Sequence, residues 1–140
     1  MNLFSELESG RTLGEIYGIT AEIGRAIAEL AARELEAGRL ESAHAILEGL
    51  AVANPHDAAA WCLLALVERR RGRLLAARLC AETARRLAPD DLQVRLVRAE
   101  VLLATPAERQ DGRTELEALA AAEGHVGERA RALRAAMAEA

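Results

Sequence analysis

The chain has 140 residues and a formal net charge of −4, and its 18 basic residues are all arginine. Ala, Leu, Glu and Arg dominate and there is one residue each of Trp, Tyr and Phe, a composition of good helix formers with few of the bulky side chains that strands favour. The acidic balance, the missing lysines and the scarcity of aromatics give no basis for nucleic-acid binding. The longest uncharged run, 58–67, is too short for a membrane span. The first residues lack the positive start and apolar stretch of a secretory signal, so a cytoplasmic protein with no stable membrane insertion is expected.

Residues 1–19 hold two short apolar clusters, Leu3-Phe4-Leu7 and Leu13-Ile16-Tyr17, separated by Gly10-Arg11-Thr12 and closed by Gly18. Neither is long enough to be a stable helix alone, so both must pack on the rest of the chain or on a second copy. With Phe4 and Tyr17 as anchors, the segment reads equally as a cap over the first repeat and as a homodimer contact.

From Thr20 the chain repeats. Thr20 is an N-cap for a helix over about 21–37 with Ile23, Ile27, Leu30, Ala31 and Glu34 on one stripe. Gly38 stops it, a second helix runs over about 40–53, and Asn54-Pro55-His56-Asp57 makes a turn. Thirty-four residues later Gly38, Ala43, Leu50 and Pro55 return as Gly72, Ala77, Ala84 and Pro89, and Leu30-Ala31 return as Leu64-Ala65. Trp61-x2-Leu64-Ala65 heads this second unit, with helices expected over about 58–71 and 74–88. A 34-residue step marking a helix, a glycine turn, a helix and a proline is the signature of a tetratricopeptide repeat. Ala65, Ala77 and Ala84 are small so that paired helices can approach, and hairpins of this kind bury their apolar faces only by stacking.

The third unit is degenerate. Its first helix, about 91–104, keeps Ala99 and Leu102 but has Arg95 and Arg98 where the second unit has Trp61 and Leu64. Thr105-Pro106 interrupts it, 107–112 reads as an insertion or frayed turn, and a helix is expected over about 113–123, ended by Gly124. Residues 126–139 form a final helix with only Leu133 and Met137 as large apolar residues, which suits a polar cap. The expected fold is an all-α tetratricopeptide-repeat solenoid, a single domain over 1–140. It divides into an N-terminal segment 1–19, repeats over 20–55, 56–89 and 90–124, and a C-terminal capping helix 125–140.

No constellation for chemistry emerges. His44, His56 and His125 lie on unrelated elements, Ser5, Ser9 and Ser42 sit in no nucleophile elbow, and no phosphate-binding glycine loop occurs. Cys62 and Cys80, 18 apart, have neither metal-ligand nor redox spacing and read as reduced structural or groove residues. The expectation is a protein without catalytic residues, cofactor or metal. What the solenoid offers is a concave surface lined by the first helix of each unit, one step round from the core stripe. These positions are Arg25, Ala28, Ala32 and Leu35, then Ala59, Cys62, Leu66 and Arg69, then Gln93, Leu96, Glu100 and Leu103. Each set steps i, i+3, i+7, i+10 and forms a continuous stripe, small and apolar with charges at its edges, suited to an extended peptide. The run Arg69-Arg70-Arg71 and the arginines after it read as solvated faces or, in a sharper form, as a basic edge for an acidic partner.

Gly10-Arg11-Thr12-Leu13, Gly18-Ile19-Thr20, Leu30-Ala31, Glu36-Ala37-Gly38, Glu41-Ser42-Ala43-His44, Ile46-Leu47, Leu50, Val52 and Ala99-Glu100-Val101-Leu102-Leu103 resemble the class II chaperones of bacterial type III secretion, the SycD/LcrH family. The resemblance covers about residues 10–104. It implies a cytosolic, non-enzymatic protein of three tandem repeats that holds an extended segment of a hydrophobic translocator, or another secreted client, in its groove before export, and that self-associates through its N-terminal helices. Two departures stand out: this groove is poor in aromatics, and the tail after Thr105 is long and charged. A general repeat scaffold or a needle-subunit chaperone, in a secretion or regulatory complex, is the alternative.

Overall fold

The turns set the architecture. In the computed structural model, which describes residues 2–139, Gly38 and Gly72 have φ of +80° and +79°. Only glycine takes that conformation without strain. The following N–H groups of Arg39 and Arg73 reach back to the carbonyls of Glu34 and Glu68, both at 2.9 Å, closing each first helix. At the other end of the hairpins, Asn54 and Ala88 precede prolines and leave the helical region, with φ of −141° and −144°. Asp57 and Asp91 then cap the next helices, each carboxylate accepting two backbone N–H bonds at 2.8–3.3 Å.

The described residues are helical and contain no strand. α1 (Leu3–Glu8) and α2 (Leu13–Ile16) precede α3 (Ala21–Glu36) and α4 (Leu40–Ala53), the first hairpin. α5 (Ala58–Arg70) and α6 (Leu74–Leu87) make the second, α7 (Leu92–Ala104) and α8 (Arg109–Leu119) the third, and α9 (Gly124–Ala138) comes last. Each helix from α3 onward packs on the next, and the first helices also touch one another, α3 on α5, α5 on α7 and α7 on α9. This is a stacked tetratricopeptide-type solenoid.

The small residues sit where the repeat requires them: Ala31, Ala65, Ala99, Ala43, Ala77 and Ala84 are all 0 % exposed. The main core runs from α3 to α7, and a second cluster of Leu96, Ala99, Leu116, Leu119 and Ala130 joins α7, α8 and α9. Trp61 is only half-buried against the main core, and its indole Nε1 donates to the carbonyl of Pro55 at 2.9 Å, which braces the turn into α5.

The third hairpin corrects the sequence reading. Residues 107–112 are neither insertion nor frayed turn. A 3₁₀ turn at Pro106–Glu108 leads into α8, which begins at Arg109 and ends at Leu119, short of Gly124. Gly112 lies buried inside it, where an added Cβ would be 3.0 Å from the Leu103 nitrogen. The reason is a register change of one. Ala43, Leu47 and Leu50 correspond to Ala77, Ala81 and Ala84 after 34 residues, but these correspond to Gly112, Leu116 and Leu119 after 35. The turn at 105–108 has one residue more and a proline in place of the glycine.

The N-terminal segment is attached lightly. α2 is held by a capping box between Thr12 and Glu15 and touches α4, with Gly14 close to the Ala53 carbonyl. α1 touches α2 and has no buried residue. Phe4 and Tyr17 are 76 % and 71 % exposed.

Candidate peptide-binding cleft

α5 and α7 lie side by side, and the face they share is cut by a cleft. A cavity of about 260 Å³ is lined by Ala59, Cys62, Leu63 and Leu66 from α5, by Asp91 at the cap of α7, and by Gln93, Val94 and Val97 from α7. Ala59 and Ala58 leave room, while Cys62, Leu66 and Val97 supply apolar walls. Beyond it, Arg69, Glu100, Leu103 and Ala104 line a second cavity with Arg129 and Leu133 of α9. At the opposite end, Ala59 and Arg25 share a larger hollow with Thr12, Glu15, His56 and Asp57, between α2, α3 and α5. Apolar in the middle and charged at both ends, the surface matches the needs of an extended segment with small or apolar side chains, whose backbone stays partly hydrated.

Of the twelve residues expected on this surface, Ala59, Cys62, Leu66 and Gln93 meet in one cavity, Arg69, Glu100 and Leu103 in the next, and Arg25 in the hollow by α2. Ala28, Ala32 and Leu35 line none of these three. Leu35 is 8 % exposed and belongs to the main core with Ala28 packed against it. Leu96, at 2 % exposure, is enclosed by the second cluster under α9, so it shapes the cleft from beneath. Arg129 and Leu133 are cleft residues that the repeat spacing did not indicate. Ala130, wholly buried like Ala31, Ala65 and Ala99, comes 31 residues after Ala99, so the 34-residue step passes over it.

The thiol of Cys62 stays protonated. Burial, followed by the charges of Asp91 and Asp57, pushes its pKa up to about 12, so it is a neutral apolar lining group. Cys80 is raised to about 11, by burial and then by Glu68.

Apart from Arg69, most of the arginine-rich stretch is tied to partners within the fold. Arg71 bonds Glu41 and the buried Glu68, and Glu68 also lies 3.3 Å from His44 Nε2. Arg70 donates to the Leu35 carbonyl at 2.7 Å. Arg78 spans Glu82 and Glu108, Arg85 and Arg98 also reach Glu82, and Arg95 meets Glu115 at 2.6 Å. Desolvation raises the Glu82 carboxyl, but hydrogen bonds from Arg98, Arg78 and Arg85 outweigh it and bring its pKa to about 2. The charges that replace Trp61 and Leu64 in the third repeat, Arg95 and Arg98, thus join α7 to α8 and α6.

Among the described residues no group of His, Cys, Asp and Glu could hold a metal, and no helix is long and apolar enough to cross a membrane. No protein-family model and no curated protein matches the sequence. Solved structures do match. The type III secretion translocator chaperone SycD of Yersinia enterocolitica superposes with a TM-score of 0.74 at 17% identity, over 92% of this chain and 98% of that one. A chain from a type III secretion complex of Aeromonas hydrophila gives 0.75 at 20% identity, over 94% and 91%. SycD solved with a peptide of the translocator YopD gives 0.69 at 19% identity, over 84% and 91%. The chain has the fold of the type III secretion translocator chaperones, nearly from end to end.

Proposed function

We propose that the chain is a non-enzymatic, cytoplasmic chaperone of a type III secretion system, holding an extended segment of a hydrophobic translocator or similar client in the α5–α7 cleft until export. The observation that carries this is the cleft itself, apolar at Cys62, Leu66 and Val97, on a fold whose neighbour SycD was solved with a translocator peptide. The mechanism is holding. Covering client apolar surface gains about 25 cal/mol per Å² and withholds that surface from self-association and from membranes. No nucleotide is involved. The exposed Phe4 and Tyr17 support self-association through the N-terminal segment.

Leu66 is the residue to test, because it is partly exposed in the cleft while Leu35 is core. Affinity purification from the native host should retain one stoichiometric client with long apolar helices. Leu66→Asp should lose it while keeping the helical circular dichroism of the parent. Client retention at parental strength by Leu66→Asp, or a set of unrelated folded proteins in place of one client, would overturn the reading.

A further inference from the structure

The cleft continues past Leu66. One turn on along α5 stands Arg69, and one turn beyond Val97 on α7 stands Glu100, in the cavity closed by Arg129 and Leu133. The charges there do not balance. Glu100 is 8 % exposed and committed to Arg129, whose Nε lies 3.0 Å from its carboxylate. Arg69 has neither hydrogen bond nor ion pair among the described residues, and its Nε is buried without an acceptor. Its two neighbours are satisfied, Arg70 by the Leu35 carbonyl and Arg71 by two carboxylates. A buried, unsatisfied guanidinium donor is costly to the fold, and a carboxylate is the acceptor that matches its geometry.

We propose that Arg69 anchors a side-chain carboxylate of the segment held in the cleft. This rests on reading the cleft as the client site and names the chemistry it selects. Two guanidiniums and one carboxylate leave the cavity one positive charge in excess. The anion is a side chain and not a chain terminus because the surface runs on: Leu103 and Leu133 also line a further hollow with Ala136 and Met137, rimmed by Arg109 and Arg113, so the segment has apolar contacts on both sides of Arg69. The spacing comes from geometry. Cys62 and Arg69 are seven residues apart on one helix, about 10 Å, which an extended chain spans in about three residues. The client's Asp or Glu therefore lies about three positions from the small or apolar side chain seated over Cys62.

The probes are fluorescent dodecapeptides of Leu, Ala and Pro with one Glu scanned through the central positions, each paired with its Gln counterpart. In one register the Glu peptide should bind the full chain about tenfold tighter than its Gln partner, the worth of one charge-assisted hydrogen bond. Arg69→Met should abolish that preference, leave the Gln peptide unaffected, and keep or raise the thermal midpoint, since a buried unsatisfied donor is removed. Arg73→Met, an exposed arginine outside the cleft, should keep the preference. Equal binding of Glu and Gln peptides in every register would overturn the anchor while leaving the cleft intact. Loss of preference in Arg73→Met, or a lowered midpoint with preserved preference in Arg69→Met, would also overturn it. Binding of no peptide at all would remove the client-cleft reading and the anchor together.

Discussion

Glu82 shows how single charges stitch this solenoid. It receives guanidiniums from Arg78 and Arg85 on its own helix and from Arg98 on α7, and Arg78 extends the chain to Glu108. Its carboxyl, with a pKa of about 2, is depressed below the unfolded value of about 4.5, so the contribution to stability is complete above pH 4.5 and is lost as the pH falls through 2. Glu82→Gln should therefore lower the urea midpoint at pH 7, with the deficit shrinking toward zero near pH 2. A deficit constant across that range would show that the ion pairs contribute nothing. This network was not legible in the sequence. The repeat spacing reports positions where small and apolar side chains must recur, whereas Arg71 with Glu41, Arg78 with Glu108 and Arg95 with Glu115 join different helices at separations of 30, 30 and 20. Long charged side chains leave no periodic trace of their partners, so most of what the sequence showed as a basic run is tied into internal contacts, Arg69 being the exception.

At the scale of the helix, the first two hairpins were readable because glycine and proline act locally. A positive φ at Gly38 and Gly72 and a non-helical residue before Pro55 and Pro89 fix where helices end, whatever packs around them. The third hairpin was misread for the same reason. Gly112, seen in sequence, suggests a break; in the fold it is where α8 touches the backbone of α7 near Ala99 and Leu103. A glycine inside a helix becomes intelligible only once its neighbour is known. Gly112→Ala should push the two helices apart and cost about 1–3 kcal/mol, despite alanine's better helix propensity. Chemical denaturation checks this, and a stabilised variant would mean that the α7–α8 contact is looser than described. Half of the cleft followed from the repeat register, as with Ala59, Cys62 and Leu66. The α9 wall did not, because its approach to α7 abandons the 34-residue step.

Over the whole molecule, apolar exposure is lopsided. Leu3, Phe4, Leu7, Tyr17, Ile23 and Leu30 are exposed at the N-terminal end, Val52 on α4 and Leu75, Leu79 and Leu87 on α6 are exposed along the second helices, and no large exposed apolar side chain lies beyond Leu92 among the described residues. If the N-terminal face is an interface, Phe4→Asp with Tyr17→Ser should halve the mass measured by light scattering at micromolar concentration and leave the melting midpoint nearly unchanged, since neither side chain is buried. A parent chain that is already monomeric there would dismiss the interface.

The covered end has its own consequence. α9 buries Gly127 and Ala130 inward and turns Arg131 and Arg134 outward. A stack of hairpins left open at both ends would add copies head to tail and grow into a filament. If the N-terminal face is the interface, the charged α9 end offers it no complementary apolar end for head-to-tail growth. Union through that face would then use the same patch on both copies and close at two.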